Sequence, residues 1–260
     1  MTMSGCDVLR RPSPGDHLVQ TYTDDRHLAT VVAEYVQAGL DRQEAAVLIL
    51  TPTHAELVTA GLTARGIDVA AALAARRLLV LDARLTLARL LVDGAVDRER
   101  FVGVVGAALR HVRSSERRGV RLFGEMVELL RHHSIEATVA LERLWSDTLL
   151  EERVCLLCAY RMDPFERQAQ PVLRQVTHCH SHVLPMEHPD RFARAVSDAY
   201  AEVFGIGADH EVLRRLMVGS LSLSTMMAEP VAALLALGDM PPVIADDIRV
   251  RAQRLYSRAA

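Results

Sequence analysis

Gly124-Glu125 closes the short apolar run Val120-Arg121-Leu122-Phe123, and Met126-Val127-Glu128-Leu129-Leu130 follows at once with helical spacing. The pattern predicts a buried strand that delivers a carboxylate to a strand-to-helix corner. Glu125 there has two readings: a ligand-facing or acid-base group, or a helix N-terminal residue favoured by the dipole. Ligands of open α/β sheets bind beyond the carboxyl ends of the strands, so other reactive side chains at such ends belong with it. Tyr22, His54, Asp82 and Tyr160 meet that condition, and with Glu125 they form the candidate ligand-binding set.

A second cluster is His178-Cys179-His180-Ser181-His182. In an extended segment His178, His180 and His182 share a face and could converge on a transition metal, whereas in a helix only His178 and His182 do. The competing reading is a helix end before Pro185, where histidines suit the terminal carbonyls. Cys155 and Cys158 look like a metal or redox pair. On a strand, however, residues three apart point to opposite faces, so they read as two buried core thiols.

The nucleotide reading fails at the turn after the first strand. Tyr22-Thr23-Asp24-Asp25 has no glycine to let backbone N–H groups reach phosphate, and its two carboxylates would repel one. Nor does the chain contain any lysine, which excludes P-loop, Schiff-base and lysine general-base chemistry. Residual nucleotide binding stays as a secondary alternative, with no binding of labelled ATP expected at micromolar concentration.

The elements that must position these residues follow from periodicity. Strands are predicted at 17–23, 44–50, 78–82, 119–124 and 153–160, with helices between them, and a sixth strand could be hidden. Their alternation implies an α/β fold with a mostly parallel, doubly wound sheet. Trp145, spaced with Leu141 and Leu144, reads as core. After Pro185 and Pro189 the strand signal stops, and helices are predicted at 191–204, 210–216, 222–237 and 243–256. The expected organisation is a disordered leader at 1–13, an α/β domain at 14–186 and a smaller all-α domain at 190–260.

The chain has 260 residues, half of them hydrophobic, and a net charge of -3. That balance gives no broad footprint for nucleic acid or membrane. Four cysteines at uneven spacing make no disulfide framework, so a reducing cytoplasm is the expected setting. No signal peptide or membrane-spanning run is expected.

Taken in order, several short motifs resemble one family. They are His17-x4-Tyr22, Thr51-Pro52-Thr53-His54, Leu81-Asp82-Ala83, Phe123-Gly124-Glu125-Met126, Leu141-Glu142-x2-Trp145, Leu157-Cys158-Ala159-Tyr160 and His180-Ser181-His182-Val183-Leu184-Pro185. Over about residues 14–186 they resemble the MEDS domain, the methanogen and methylotroph DcmR-type sensory domain. The resemblance implies a RecA/KaiC-like core with a degenerate phosphate loop. It also implies a sensor of small hydrocarbon derivatives joined to an output module.

The expected function is therefore a non-catalytic cytoplasmic sensor of a small ligand that regulates transcription or signalling through its helical tail. The tail is expected to contact a protein partner or a second copy, with Met226-Met227 a candidate interface. DNA is not favoured as a partner, although a helix-turn-helix could fall within 209–237. The alternative is a metal-dependent sensor or enzyme using His178, His180 and His182, with a transition metal as its cofactor.

Overall fold

The computed structural model describes residues 5–114, 117–131, 133–185, 187–205 and 229–258. Two compact units divide the chain at Arg161 and Met162, earlier than the change of pattern near residue 186 would place a boundary.

The first unit carries the expected alternation. In chain order it comprises α1 (Gly5–Arg10), β1 (His17–Tyr22), α2 (Asp25–Asp41), β2 (Ala45–Leu50), α3 (Pro52–Ala64), α4 (Val69–Ala74), β3 (Leu78–Asp82) and α5 (Ala83–Leu90). A small antiparallel pair follows, β4 (Leu91–Val92) and β5 (Ala95–Val96), then α6 (Arg98–Val112), β6 (Val120–Gly124), α7 (Met126–Arg131), α8 (Ile135–Glu152) and β7 (Cys155–Arg161). Its main sheet runs β3-β2-β6-β7-β1, with each of these neighbouring strands paired in parallel. The α4 turn and the β4–β5 pair are too short to leave a periodic signal in the sequence.

Strands β2 and β6 are buried along their whole length, as near-continuous apolar runs in a parallel sheet should be. Helices begin where acids cap them: Asp24, Asp68, Asp82 and Asp97 each accept a hydrogen bond from the backbone N–H three residues on.

Side-chain alternation along β7 identifies the two faces of the sheet. Cys155 accepts a hydrogen bond from the Tyr35 hydroxyl of α2, while the Tyr160 hydroxyl donates to Glu142 of α8. Thus α2 and α8 cover opposite faces, and the two thiols diverge as their spacing requires. Helix α3 packs on α2, α7 packs on α8, and Phe101 of α6 meets Trp145 of α8 edge to face at 4.9 Å.

One expectation is corrected at the N-terminus. Gly5–Arg10 is helical, with Val8 and Leu9 buried, although the leader was expected to be disordered. The cause is Arg121. Its guanidinium donates to the Leu9, Tyr35 and Arg10 carbonyls at 3.1, 3.0 and 2.9 Å and pairs with Glu44. The leader is thereby tied to the sheet through its own backbone.

The second unit contains α9 (Ala169–Cys179), a two-residue strand β8 (His182–Val183), α10 (Pro189–Phe204), α11 (Glu229–Ala236), a 3-10 turn (Leu237–Asp239) and α12 (Pro242–Arg258). Phe165, Phe192 and Tyr256 form its aromatic centre, with ring centroids 5.4 to 6.2 Å apart. Tyr200, buried on α10, donates to the Ala233 carbonyl of α11 at 2.8 Å. The predicted helix at 210–216, the Met226-Met227 interface and most of the helix-turn-helix candidate at 209–237 lie outside the described residues. Among the described residues no helix is long and apolar enough to cross a membrane.

Candidate functional site

The chain leaves β2 towards β3 through α3, on the α2 face, and leaves β6 towards β7 through α7 and α8, on the opposite face. Adjacent parallel strands whose connections diverge in this way open a crevice at their carboxyl ends. His54, on the first turn of α3, and Glu125, directly after β6, occupy that crevice.

The geometry there is ionic and closed on itself. Glu125 accepts the Thr51 backbone N–H on one oxygen and pairs with His54 Nδ1 on the other. His54 Nε2 lies 3.2 Å from Asp25 Oδ1, and Asp25 pairs in turn with Arg161. The Arg161 guanidinium covers the Tyr22 ring at 5.5 Å, and that ring meets the imidazole edge to face at 5.9 Å.

The hydrogen bond to Glu125 raises the His54 pKa above its ordinary value, against the opposing effect of burial. Burial would raise Asp25, but hydrogen bonds from His54 and Arg161 outweigh it and hold the carboxyl below its usual range. Burial, reinforced by Glu125 and Glu128, raises Tyr22 and keeps its hydroxyl protonated. His54 is thus held between two carboxylates, an arrangement that favours its protonated form.

Helix α7 attaches to the same edge. Arg131 forms a forked pair with Glu128 at 3.0 and 2.8 Å. Glu128 also accepts the Arg161 backbone N–H at 3.1 Å, while Arg131 donates to the Arg161 carbonyl at 3.0 Å. Beside α7, towards α5, opens a cleft of about 500 Å³ lined mainly by Leu87, Ala88, Leu91 and Leu130, with exposed Arg84 and His133 adding polarity.

A family model for the MEDS domain, described as the MEthanogen/methylotroph, DcmR Sensory domain, matches residues 16–181. The chain belongs to the MEDS family. The match takes in the whole sheet of the first unit and continues through α9 of the second. A comparison with curated proteins returned no match.

Within this MEDS domain the structure brings together three of the five residues marked by sequence: Tyr22, His54 and Glu125. Asp82 and Tyr160 go elsewhere. Asp82 caps α5 by accepting the Leu85 N–H at 2.8 Å. Replacing it by alanine should cost about 1 kcal/mol, as for a helix cap, in a urea titration followed by circular dichroism. Tyr160 lies under α8, on the far face of β7, because neighbouring strand residues alternate. Its successor Arg161 points to the crevice instead.

Arg121, four residues before Glu125, pairs with Glu44 at the other end of β6. Asp25, Glu128, Arg131 and Arg161 were missed. Asp24-Asp25 held a partial signal, since one acid suffices for the cap and the other is left to pair.

The structure does not set His178, His180 and His182 on one face. The chain is helical to Cys179 and extended from His182, so the three residues share neither a helical nor a strand face. His178 Nδ1 contacts the Arg174 carbonyl and His180 Nδ1 the Val176 carbonyl, both at 2.6 Å, while His182 Nδ1 meets Ser181 Oγ at 2.9 Å. Burial lowers the His180 pKa to about 4 despite its carbonyl partner. No grouping of metal-type donors among the described residues contains all three.

Proposed function

We propose that this MEDS domain is a non-catalytic cytoplasmic sensor that takes a small apolar organic molecule, of the hydrocarbon-derived class, into the cleft beside α7. The observation carrying the proposal is that one short helix serves two places. Leu129 and Leu130 of α7 line the cleft, while Glu128 and Arg131 grip the backbone of Arg161, the last residue of the first unit. A molecule that binds one position of α7 better than another shifts that grip by its differential affinity. The helical second unit passes the change on through contact with a protein partner or a second copy, regulating signalling or transcription.

The crevice supports a non-catalytic role. Both His54 ring nitrogens face carboxylates, and both Glu125 oxygens are engaged. A general base requires a nitrogen or oxygen turned towards substrate. Glu125 and His54 therefore hold the start of α7 and the edge around Tyr22, and the apolar cleft provides contact area for an organic signal.

The test is a thermal-shift screen of short-chain alcohols, aldehydes and halogenated hydrocarbons. A compound at a hundredfold excess over its Kd should add about 2.7 kcal/mol of stability. Ala88→Phe, which fills the cleft from an exposed position, should abolish that shift and leave the fold intact. Hydrogen exchange at residues 161–165 should slow on binding in the wild type but not in Glu128→Gln. A shift that persists in Ala88→Phe would place binding elsewhere.

A further inference from the structure

A second cluster of reactive side chains lies under α8, on the face of the sheet opposite His54. His17 begins β1, Cys158 is central in β7, and Glu142 is on α8. Their side chains are buried, with 3, 1 and 1 % relative exposure. His17 Nε2 stands 3.3 Å from Cys158 Sγ and 3.3 Å from Glu142 Oε2, and one donor atom from each residue lies within 4.8 Å of the others.

These separations match those between ligands of one small cation. Metal–ligand bonds of ~2.0–2.3 Å at tetrahedral angles place neighbouring N, O and S donors roughly 3.3–3.6 Å apart. An imidazole, a carboxylate and a thiolate together are a donor set for zinc and its divalent first-row neighbours. We propose that His17 Nε2, Glu142 Oε2 and Cys158 Sγ are three ligands of a buried transition-metal site in this domain.

Groups behind the ligands support the assignment. The Ser146 hydroxyl donates to the Glu142 carbonyl at 3.0 Å, so its oxygen is left to accept from His17 Nδ1, 3.4 Å away. That arrangement puts the proton on Nδ1 and turns the Nε2 lone pair towards Cys158 and Glu142. Glu142 uses its second oxygen to accept the Tyr160 hydroxyl. A polar partner behind the imidazole and another behind the carboxylate are characteristic of ligands oriented for a metal.

Cys155 supplies an internal control. It is a buried thiol on the same strand but on the other face, hydrogen-bonded to Tyr35 at 3.3 Å. The site is independent of the cleft beside α7.

The experiment uses the full chain without a purification tag. Metal analysis after gel filtration should find about one equivalent of divalent first-row metal per chain, and cobalt(II) reconstitution should give a thiolate-to-cobalt charge-transfer band in the near ultraviolet. Cys158→Ser should eliminate that band. Cys155→Ser and the pair His178→Ala, His182→Ala should leave it unchanged.

If Cys158→Ser loses its far-ultraviolet dichroism, His17→Gln and Glu142→Gln decide, since either should move the visible cobalt bands or weaken binding at least tenfold. Substoichiometric metal together with no cobalt band in the wild type overturns the proposal. A band surviving in folded Cys158→Ser, or cobalt spectra and affinity unaltered by both His17→Gln and Glu142→Gln, also overturns it.

Discussion

Arg121→Ala should lower the unfolding free energy of the first unit by about 3–5 kcal/mol, the range for removing one partner of a buried ion pair. Arg121 is 1 % exposed, and its guanidinium serves Glu44 and three backbone carbonyls while lying 5.0 Å from the centre of the Tyr35 ring. Alanine leaves those acceptors facing an apolar space. Arg121→Lys should recover little, because one ammonium cannot fan out to acceptors on α1, α2 and the loop before β2. Gly39 belongs to the same arrangement: a Cβ there would sit 2.7 Å from Arg121 Cδ and Nε.

The measurement is urea unfolding followed by Trp145 fluorescence. Trp145 is the sole tryptophan and is buried in the first unit, so the signal reports that unit. Hydrogen exchange at residues 5–11 should rise sharply in the variant. A loss below about 0.5 kcal/mol, the scale of an ordinary surface substitution, would show that the carbonyls find other partners.

Glu125→Gln should produce a pH-dependent loss of up to about 3 kcal/mol, the lower end for breaking a buried charge pair. The sign follows from the shifts. The His54 pKa is raised above 6.5 in the folded state, so its stabilisation is complete below 6.5 and disappears as pH rises through the folded value. Asp25 is depressed below 3.8, so its contribution is present above 3.8 and disappears as pH falls through the folded value.

Between 3.8 and 6.5 both contributions are in force, and there the wild type should exceed the variant by most. The difference should narrow on raising the pH above the folded His54 value. Urea titrations across that range check it, together with the C2-proton chemical shift of His54, whose midpoint should fall in Glu125→Gln. A constant difference across pH would remove the imidazolium from the account.

Much of the α/β architecture was legible in the sequence because burial on both faces makes strands such as Ala45–Leu50 nearly continuous apolar runs. Helix starts were legible where an acid caps them. The candidate site was legible only in part. Tyr22, His54 and Glu125 could be marked as residues at strand ends, a local property. Tyr160 and Arg161 could not be sorted, because one residue of position along a strand decides which face a side chain takes.

Sequence alone determined the alternating parallel sheet, the absence of a glycine-lysine phosphate cradle and the divergence of Cys155 from Cys158. These depend on residue type and on periods of 2 and 3.6, which short windows contain. Tertiary structure alone decided that Glu125 meets His54 and Asp25, that Arg121 holds the leader, and that His17, Glu142 and Cys158 converge while His178, His180 and His182 do not. The reason is separation along the chain: His17 and Cys158 are neighbours only because β1 lies beside β7 in the sheet, and no local pattern encodes that register.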